Sequence, residues 1–441
     1  MSTQPPAENP ARVPAPPPVP SASDAATEPG TSLAPGPGGS GRRIAGLSPE
    51  VLRLGLVSFF ADVSSEMLYP ITPIFLASVL HAPVEVIGVI EGFAEAAASI
   101  MRSVFGRISD RTGRRRPYVV GGYTLAALAK PLIAVAQTWP LVLVARVTDR
   151  LGKGMRTPPR DALLAEYTPA AERGRAFGWH RAMDSAGAVI GPLIALALVA
   201  ASDGNLRLVI ALTAIPGLIG AALVLTVREK RRAARADAAA EASGTSTRLS
   251  DLPRPFRAYL LAWAPFALAN SSDVFLILRA KDLGYSTTLT VLLYTLYNLA
   301  YSVASPLFGG LADRVGGRRV LTWGLLTFAV VYAGFAAVSA RWLLWPLFAV
   351  YGLYIAATDG VGKAYAISLV PEGARATSVG LLGSVTGIAT LVASSVAGVL
   401  WATLGPWAAF AFGAAGAVVS AVALMLVPAL RSGAQAGDDG A

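Results

Sequence analysis

Apolar residues in this chain gather into about twelve long stretches, near 52–80, 84–105, 117–137, 140–157, 175–201, 206–227, 256–282, 287–311, 319–339, 342–366, 376–403 and 406–428. Each is close to the ~20 residues a helix needs to cross a bilayer. The pattern predicts an all-α membrane protein with 12 transmembrane helices. Two regions lack it. Residues 1–43 are Pro/Ala-rich and cannot bury enough apolar surface to fold, and 431–441 form a second short tail. The first lacks the basic, apolar and small-residue order of a signal peptide and reads as a dispensable extension or an over-called start, with a regulatory tail as the alternative. Both are expected to be disordered.

Composition supports a chain built for lipid. It is 54% hydrophobic and 15% charged, with a mean hydropathy of +0.54, where a soluble protein carries about 25% charged residues. The 44 glycines suit closely packed membrane helices. There is no cysteine, so thiolate metal sites and disulfides are excluded and the redox compartment is unreadable. His81 and His180 are the only histidines, which argues against an imidazole-built metal site. No cofactor is expected.

The net charge of +10 raises nucleic acid as a partner, but its distribution says otherwise. Arginine and lysine concentrate at alternate loops, 107–116, 156–175, 228–257 and 314–319, while the intervening loops carry few. This is the positive-inside pattern of a multi-pass protein of the cell (inner or plasma) membrane, with both termini cytoplasmic.

Charge inside the spans is the informative feature. From Trp139 to Pro192, Arg146, Asp149, Arg150, Lys153, Arg181 and Asp184 lie in or beside apolar runs. A charge at membrane depth costs roughly 2.5–3.5 kcal/mol on insertion scales, so these groups face partners or water rather than lipid. Asp62 and Glu66 stand four apart on one face of the first span; Glu91, Glu95 and Arg102 share a face of the second. Lys130 sits mid-span beside Pro131 and is expected to find a partner in the polar interior instead of snorkelling. His180, near the start of the fifth span, reads as a capping or loop contact in preference to a proton relay. The double proline Pro158–Pro159 is expected to end the fourth span, leaving RDALLAE as a separate interfacial piece. The later spans are poorer in charge, with Asp273 as their main acid and Asn270, Tyr294, Tyr297 and Asn298 as polar neighbours.

The chain repeats itself. GRISDRTGRRR after the second span and GGLADRVGGRRV after the eighth share G-x-x-[SA]-D-R-x-G, carried by Gly106, Asp110, Arg111 and Gly113 with Arg114 following, and by Gly309, Asp313, Arg314 and Gly316. Pro169, Arg173 and Gly178 recur as Pro371, Arg375 and Gly380, and Ser64-Ser65-Glu66 is echoed by Ser271-Ser272-Asp273. A weaker match sets Asp149-x-x-Gly-Lys153 against Asp359-x-x-Gly-Lys363. These parallel repeats describe two bundles, 44–227 and 256–430, joined by a basic cytoplasmic linker at 228–255.

The paired loop motif resembles the signature of the major facilitator superfamily, and the resemblance covers residues 45–430. It implies two pseudo-symmetric six-helix bundles working by alternating access. Gly187, Gly191 and Pro192 in the fifth span resemble the G-x-x-x-G-P-x-x-G element of the family's antiporter branch, with Ala195 where glycine is expected; packing alone would also explain a glycine seam. The run from Gly152 to Leu163, GKGMRTPPRDAL, resembles a prokaryotic subgroup of the superfamily.

Other classes fare worse. No cysteine, G-x-S-x-G or H-E-x-x-H element supplies an enzyme site, and no G-x-x-x-x-G-K-[ST] loop a nucleotide-driven pump. A channel or non-transporting receptor stays open. The preferred reading is a proton-coupled exporter of a small charged or zwitterionic organic solute or drug, acting as a monomer. A symporter importing a charged metabolite is the alternative, and a carboxylate-based divalent metal exporter the second. Glu66, Glu91, Glu95 and Asp273 are the proton-coupling candidates. Desolvation and a neighbouring carboxylate both disfavour the charged form, so Glu66 or Glu91 is expected to exchange the proton while Asp149 is locked to a basic neighbour. Asp62, Arg102, Lys130, Arg146, Asp149, Arg150, Asn270, Tyr294 and Asn298 are candidate solute contacts. In the gate, Asp110 is expected against the start of the eleventh span near Arg375, and Asp313 against the start of the fifth near Arg173, reinforced by Arg111 and Arg314.

Overall fold

The computed structural model describes residues 47–169, 172–227, 252–371 and 375–427. Among them lie α1 (Pro49–Leu68), α2 (Ile71–Ser78), α3 (Val84–Thr112), α4 (Arg116–Ala134), α5 (Trp139–Glu166), α6 (Arg173–Ala201), α7 (Leu206–Leu212) and α8 (Ala214–Val224). The second part of the chain adds α9 (Arg254–Ala267), α10 (Val274–Asp282), α11 (Thr287–Val315), α12 (Gly317–Ala337), α13 (Leu344–Ser368), α14 (Arg375–Leu404) and α15 (Pro406–Leu426). Seven helical stretches, from Arg175 onward, are long and apolar enough to cross a membrane by length and composition alone. The tails at 1–43 and 431–441 and the linker at 228–255, except its last four residues, lie outside the described residues.

Three predicted spans are broken helices. The stretch 52–80 divides at Tyr69–Pro70, where proline has no N–H to continue the ladder. The stretch 206–227 divides at Thr213, whose carbonyl accepts a 2.5 Å hydrogen bond from Ser64 Oγ. The stretch 256–282 opens at 268–273 between α9 and α10, and Ser394 Oγ accepts the Ser272 N–H at 3.0 Å. Non-helical backbone at membrane depth is tolerated where protein or a water-lined cavity satisfies it.

The fourth span differs in the opposite sense. Helix α5 runs unbroken through Pro158 and Pro159 to Glu166, so RDALLAE is its last two turns and no separate piece. Packing outweighs the lost backbone bonds: Leu163 and Leu164 are buried in a cluster with Val51, Leu54, Val119 and Tyr123, and the Arg156 guanidinium stands 4.2 Å from the Tyr123 ring.

Helices α1 to α8 pack mainly among themselves, as do α9 to α15. The two groups meet along α3 against α14, α6 against α11, and α2 against α10. The α3–α14 seam is tight over much of its length. A Cβ on Gly92 would stand 2.8 Å from Leu391 Cα, one on Gly398 2.7 Å from Glu85 Cα, and Ser103 Oγ meets Ser384 Oγ at 3.0 Å. Small residues permit this approach of backbones. Gly380, one turn from Ser384 toward the basic loop, has nothing within 4 Å of a Cβ position.

The buried apolar residues agree. One cluster continues from Leu68, Ile71 and Phe75 of the first group into Phe275, Tyr294 and Phe348 of the second. A separate one, with Leu54, Val119, Leu163 and Val224, belongs to the first group alone and lies toward its basic loops. The groups therefore share an apolar core at the end opposite the basic loops, while the apolar cluster toward the basic loops belongs to the first group.

Candidate functional site

The polar interior lies where the two groups face each other. Helix α5 supplies most of it, and its i, i+3, i+4 spacing sets Arg146, Asp149, Arg150 and Lys153 on neighbouring positions of one face. Arg146 is 1% exposed and donates Nε and Nη2 to the two oxygens of Glu91 at 2.9 and 2.7 Å, a closed bidentate pair. Its Nη1 lies 3.5 Å from Asp149, so Asp149 does have a basic neighbour. One turn further, Arg150 Nη2 stands 3.3 Å from Glu95 Oε1. Lys130, also 1% exposed, donates to Ser64 Oγ, its partner in the interior. Arg102 is exposed and donates to Ser99 Oγ at 2.8 Å.

Helix α1 carries Asp62 and Glu66 along its side toward α6, and glycine lets the two helices approach closely. Cβ atoms on Gly187 and Gly191 would stand 2.9 Å from Asp62 Cβ and 2.8 Å from Val63 O respectively. The glycine element of the fifth span is thus the seam between α1 and α6, with Pro192 continuing inside the helix.

From the other group, Tyr294 Oη donates to Glu66 Oε2 at 2.5 Å, and its ring stacks on Tyr69 at 5.4 Å. Tyr69 also stands 5.9 and 5.8 Å from the guanidinium carbons of Arg146 and Arg150, and meets Ser272 Oγ at 3.3 Å. Asp273 is held by two phenols, Tyr351 at 2.5 Å and Tyr297 at 3.0 Å. Asn298 Nδ2 donates to the Tyr294 carbonyl, and Asn270 Nδ2 to Tyr354 Oη at 3.4 Å. The structure therefore brings the candidate acids of α1 and α3, the bases of α5 and the aromatic side of α11 to one boundary.

Some expected placements differ. His180 makes no cap: it is 5% exposed, with Nε2 2.7 Å from Ser58 Oγ and Nδ1 3.4 Å from Asp184, tying α6 to α1. Its ring points into the helix packing, where a buried imidazole must find partners. Asp110 is 61% exposed and its carboxylate lies 3.7 Å from Arg115, the ion partner it has in this conformation. Asp313 and Arg314 are exposed, as are Arg111 and Arg114. The side chains of Arg173 and Arg375 lie outside the described residues, although both positions open helices. Gly106 packs toward Pro158. Gly113 and Gly316, at φ of +61° and +92°, end α3 and α11 in the region that favours glycine.

Sequence reasoning misses three residues. Tyr69 and Tyr351 carry no local signal, since an aromatic residue in an apolar span looks like core. Asp359 is the third. It accepts from Tyr301 Oη at 3.1 Å and Lys363 at 2.7 Å, with Arg181 3.9 Å away across the boundary. The weak repeat Asp359-x-x-Gly-Lys363 is the signal that could have found it.

Other proteins are similar to this chain in sequence or in fold. The family model described as Major Facilitator Superfamily matches residues 54–279 and 259–440. An uncharacterized MFS-type transporter of Methanocaldococcus jannaschii is 33% identical over 387 residues, covering 86% of this chain and 95% of that protein. An uncharacterized protein of Mycobacterium bovis is 28% identical over 353 residues, 79% of this chain and 85% of its own. Multidrug resistance protein MdtH of Proteus mirabilis matches more locally, 38% identical over 111 residues, 24% of this chain and 28% of that one. Among solved structures, a point mutant of the nucleoside transporter NupG superposes with a TM-score of 0.70 at 15% identity, covering 85% of this chain and 99% of its own. A point mutant of the peptide transporter POT gives 0.71 at 16%, covering 88% and 96%. These two likenesses concern the fold.

Proposed function

The chain belongs to the major facilitator superfamily and is a multi-pass membrane transporter, not an enzyme; from that premise we propose that it is a proton-coupled exporter of a small charged or zwitterionic organic solute. In this reading twelve spans, three of them broken, form two six-helix bundles that rock about a solute site near the membrane midplane. Both termini and the 228–255 linker face the cytoplasm, and the conformation described here is open to it.

One observation carries the reading: Glu66, an acid of the first bundle, is held at the boundary by Tyr294 of the second, so its protonation and the contact between bundles are linked. Export has two further supports. The local likeness to proteins named for multidrug resistance points toward efflux. For an anionic solute, an inside-negative potential also drives outward movement, by about 2.3 kcal/mol per charge per 100 mV. A carboxylate-based metal exporter is less favoured, because among the described residues no three His, Cys, Asp or Glu side chains gather to hold an ion, and the nearby bases would repel it.

The test is counterflow in proteoliposomes with an imposed pH gradient, across a panel of organic acids, zwitterions and cationic drugs. Saturable exchange that is accelerated by an opposing proton gradient supports the proposal. Gradient collapse without exchange identifies a channel, and no flux with any solute leaves a receptor.

A further inference from the structure

Two arginines one turn apart on α5 use the same edge of their guanidinium groups differently. The Nε–Nη2 edge of Arg146 is filled by both oxygens of Glu91. Arg150 is 5% exposed, and its Nε meets no hydrogen-bond acceptor among the described residues. Its Nη2 has only the ion contact of 3.3 Å to one oxygen of Glu95, whose side chain is 36% exposed. A planar donor fork matches an oxyanion through two parallel bonds, so the fork of Arg150 is only half used. A buried N–H of this kind costs stability until it finds an acceptor.

Lys153 is the next base on the same face. It forms no ion pair among the described residues, unlike its repeat counterpart Lys363, which bonds Asp359 at 2.7 Å. Arg146 is already satisfied by Glu91, and among the described residues Glu95 is the one carboxylate within ion-pair distance of Arg150.

We propose that Arg150 and Lys153 form the subsite for the acidic group of the transported solute, a carboxylate, phosphonate or sulfonate of a small organic acid, and that Glu95 is its internal placeholder. The solute's oxyanion closes the Nε–Nη2 fork of Arg150, takes Lys153 as counter-ion, and releases Glu95 to the water of the cavity. This rests on the reading that the boundary between bundles is the solute site, and it narrows that solute to one bearing an acid.

Thermal unfolding of the full chain in detergent tests it, with benzoate, benzenesulfonate, benzamide and benzylammonium as matched probes at constant ionic strength balanced with chloride. A ligand that binds only the folded state raises the apparent melting temperature. Benzoate and benzenesulfonate are expected to raise it, and benzamide and benzylammonium to leave it unchanged. Glu95→Gln removes the competitor and is expected to tighten benzoate by up to about five-fold, the worth of a partly exposed ion contact. Arg150→Lys, which keeps charge but loses the fork, and Lys153→Gln should each abolish the response. Lys153→Gln leaves no ion partner behind and so keeps the comparison usable if Arg150 variants unfold. An equal response to benzylammonium, a weaker benzoate response in Glu95→Gln, or no anion response in both parent and Glu95→Gln would overturn the proposal. Transport is read separately: anion binding without counterflow removes the transporter reading but keeps the subsite, and counterflow of cations alone does the reverse.

Discussion

Tyr294 Oη donates a 2.5 Å hydrogen bond to Glu66 across the boundary between the two helical groups, while Glu91 is closed off in a bidentate pair with Arg146. In the sequence the two acids are equivalent candidates for proton exchange. Their surroundings separate them. A carboxylate held by one phenol can take a proton and keep a partner; one locked on a guanidinium must first break two charge-assisted bonds.

Glu66→Gln is accordingly expected to abolish the response of transport to a pH gradient while retaining solute exchange at equilibrium, both measured in proteoliposomes. Tyr294→Phe should loosen the bundle contact and weaken the pH response, since a hydrogen bond to a charged group contributes about 1.5–3 kcal/mol. A Glu66→Gln protein that responds to the gradient like the parent sinks the assignment.

Glu91 should behave as structure. Removing one member of a buried ion pair typically costs about 3–5 kcal/mol, because the other charge is stranded. Glu91→Leu and Arg146→Met should each lower the melting temperature of the purified protein sharply, and the double variant should recover much of the loss. Additive losses would show that the two residues do not function as a pair.

At the basic end, Asp110 is exposed beside Arg115 in the conformation described here. In the opposite conformation it is proposed to reach the start of α14. A carboxylate at a helix N-terminus contributes about 0.3–1 kcal/mol, so Asp110→Asn should shift the balance toward the basic-end-open form by roughly two- to five-fold and slow turnover. Spin labels on cysteines placed at Arg114 and Arg318 would read the populations as distances. Unchanged populations and kinetics would count against the gate.

Orientation can be checked cleanly because the chain has no native cysteine. Ala240→Cys in the linker should resist a membrane-impermeant thiol reagent in intact cells and react after lysis. His81→Cys, exposed in the loop before α3, should react in intact cells. The reverse pattern would invert the proposed topology.

The membrane-embedded helical architecture was legible in the chain itself, because the bilayer imposes length and apolarity on each span and these are local properties. The internal repeat was equally plain, since GRISDRTGRRR and GGLADRVGGRRV each follow a span at matching places in the two halves. The candidate charges were also visible, as any ionised group within an apolar run must turn inward. Partnership was not. Whether Glu91 or Glu66 holds a base depends on the rotation of α3 and α1 against α5 and on a glycine seam with α6, which no local pattern encodes. Pro158–Pro159 read as a stop and Tyr69–Pro70 did not. Packing of Leu163 and Leu164 carries α5 through the first, while α1 breaks at the second beside the Tyr294 and Ser272 contacts. Propensity is a weak term of about 3 kcal/mol even for proline, so where it conflicts with burial and cross-helix hydrogen bonding, only the assembled bundle decides.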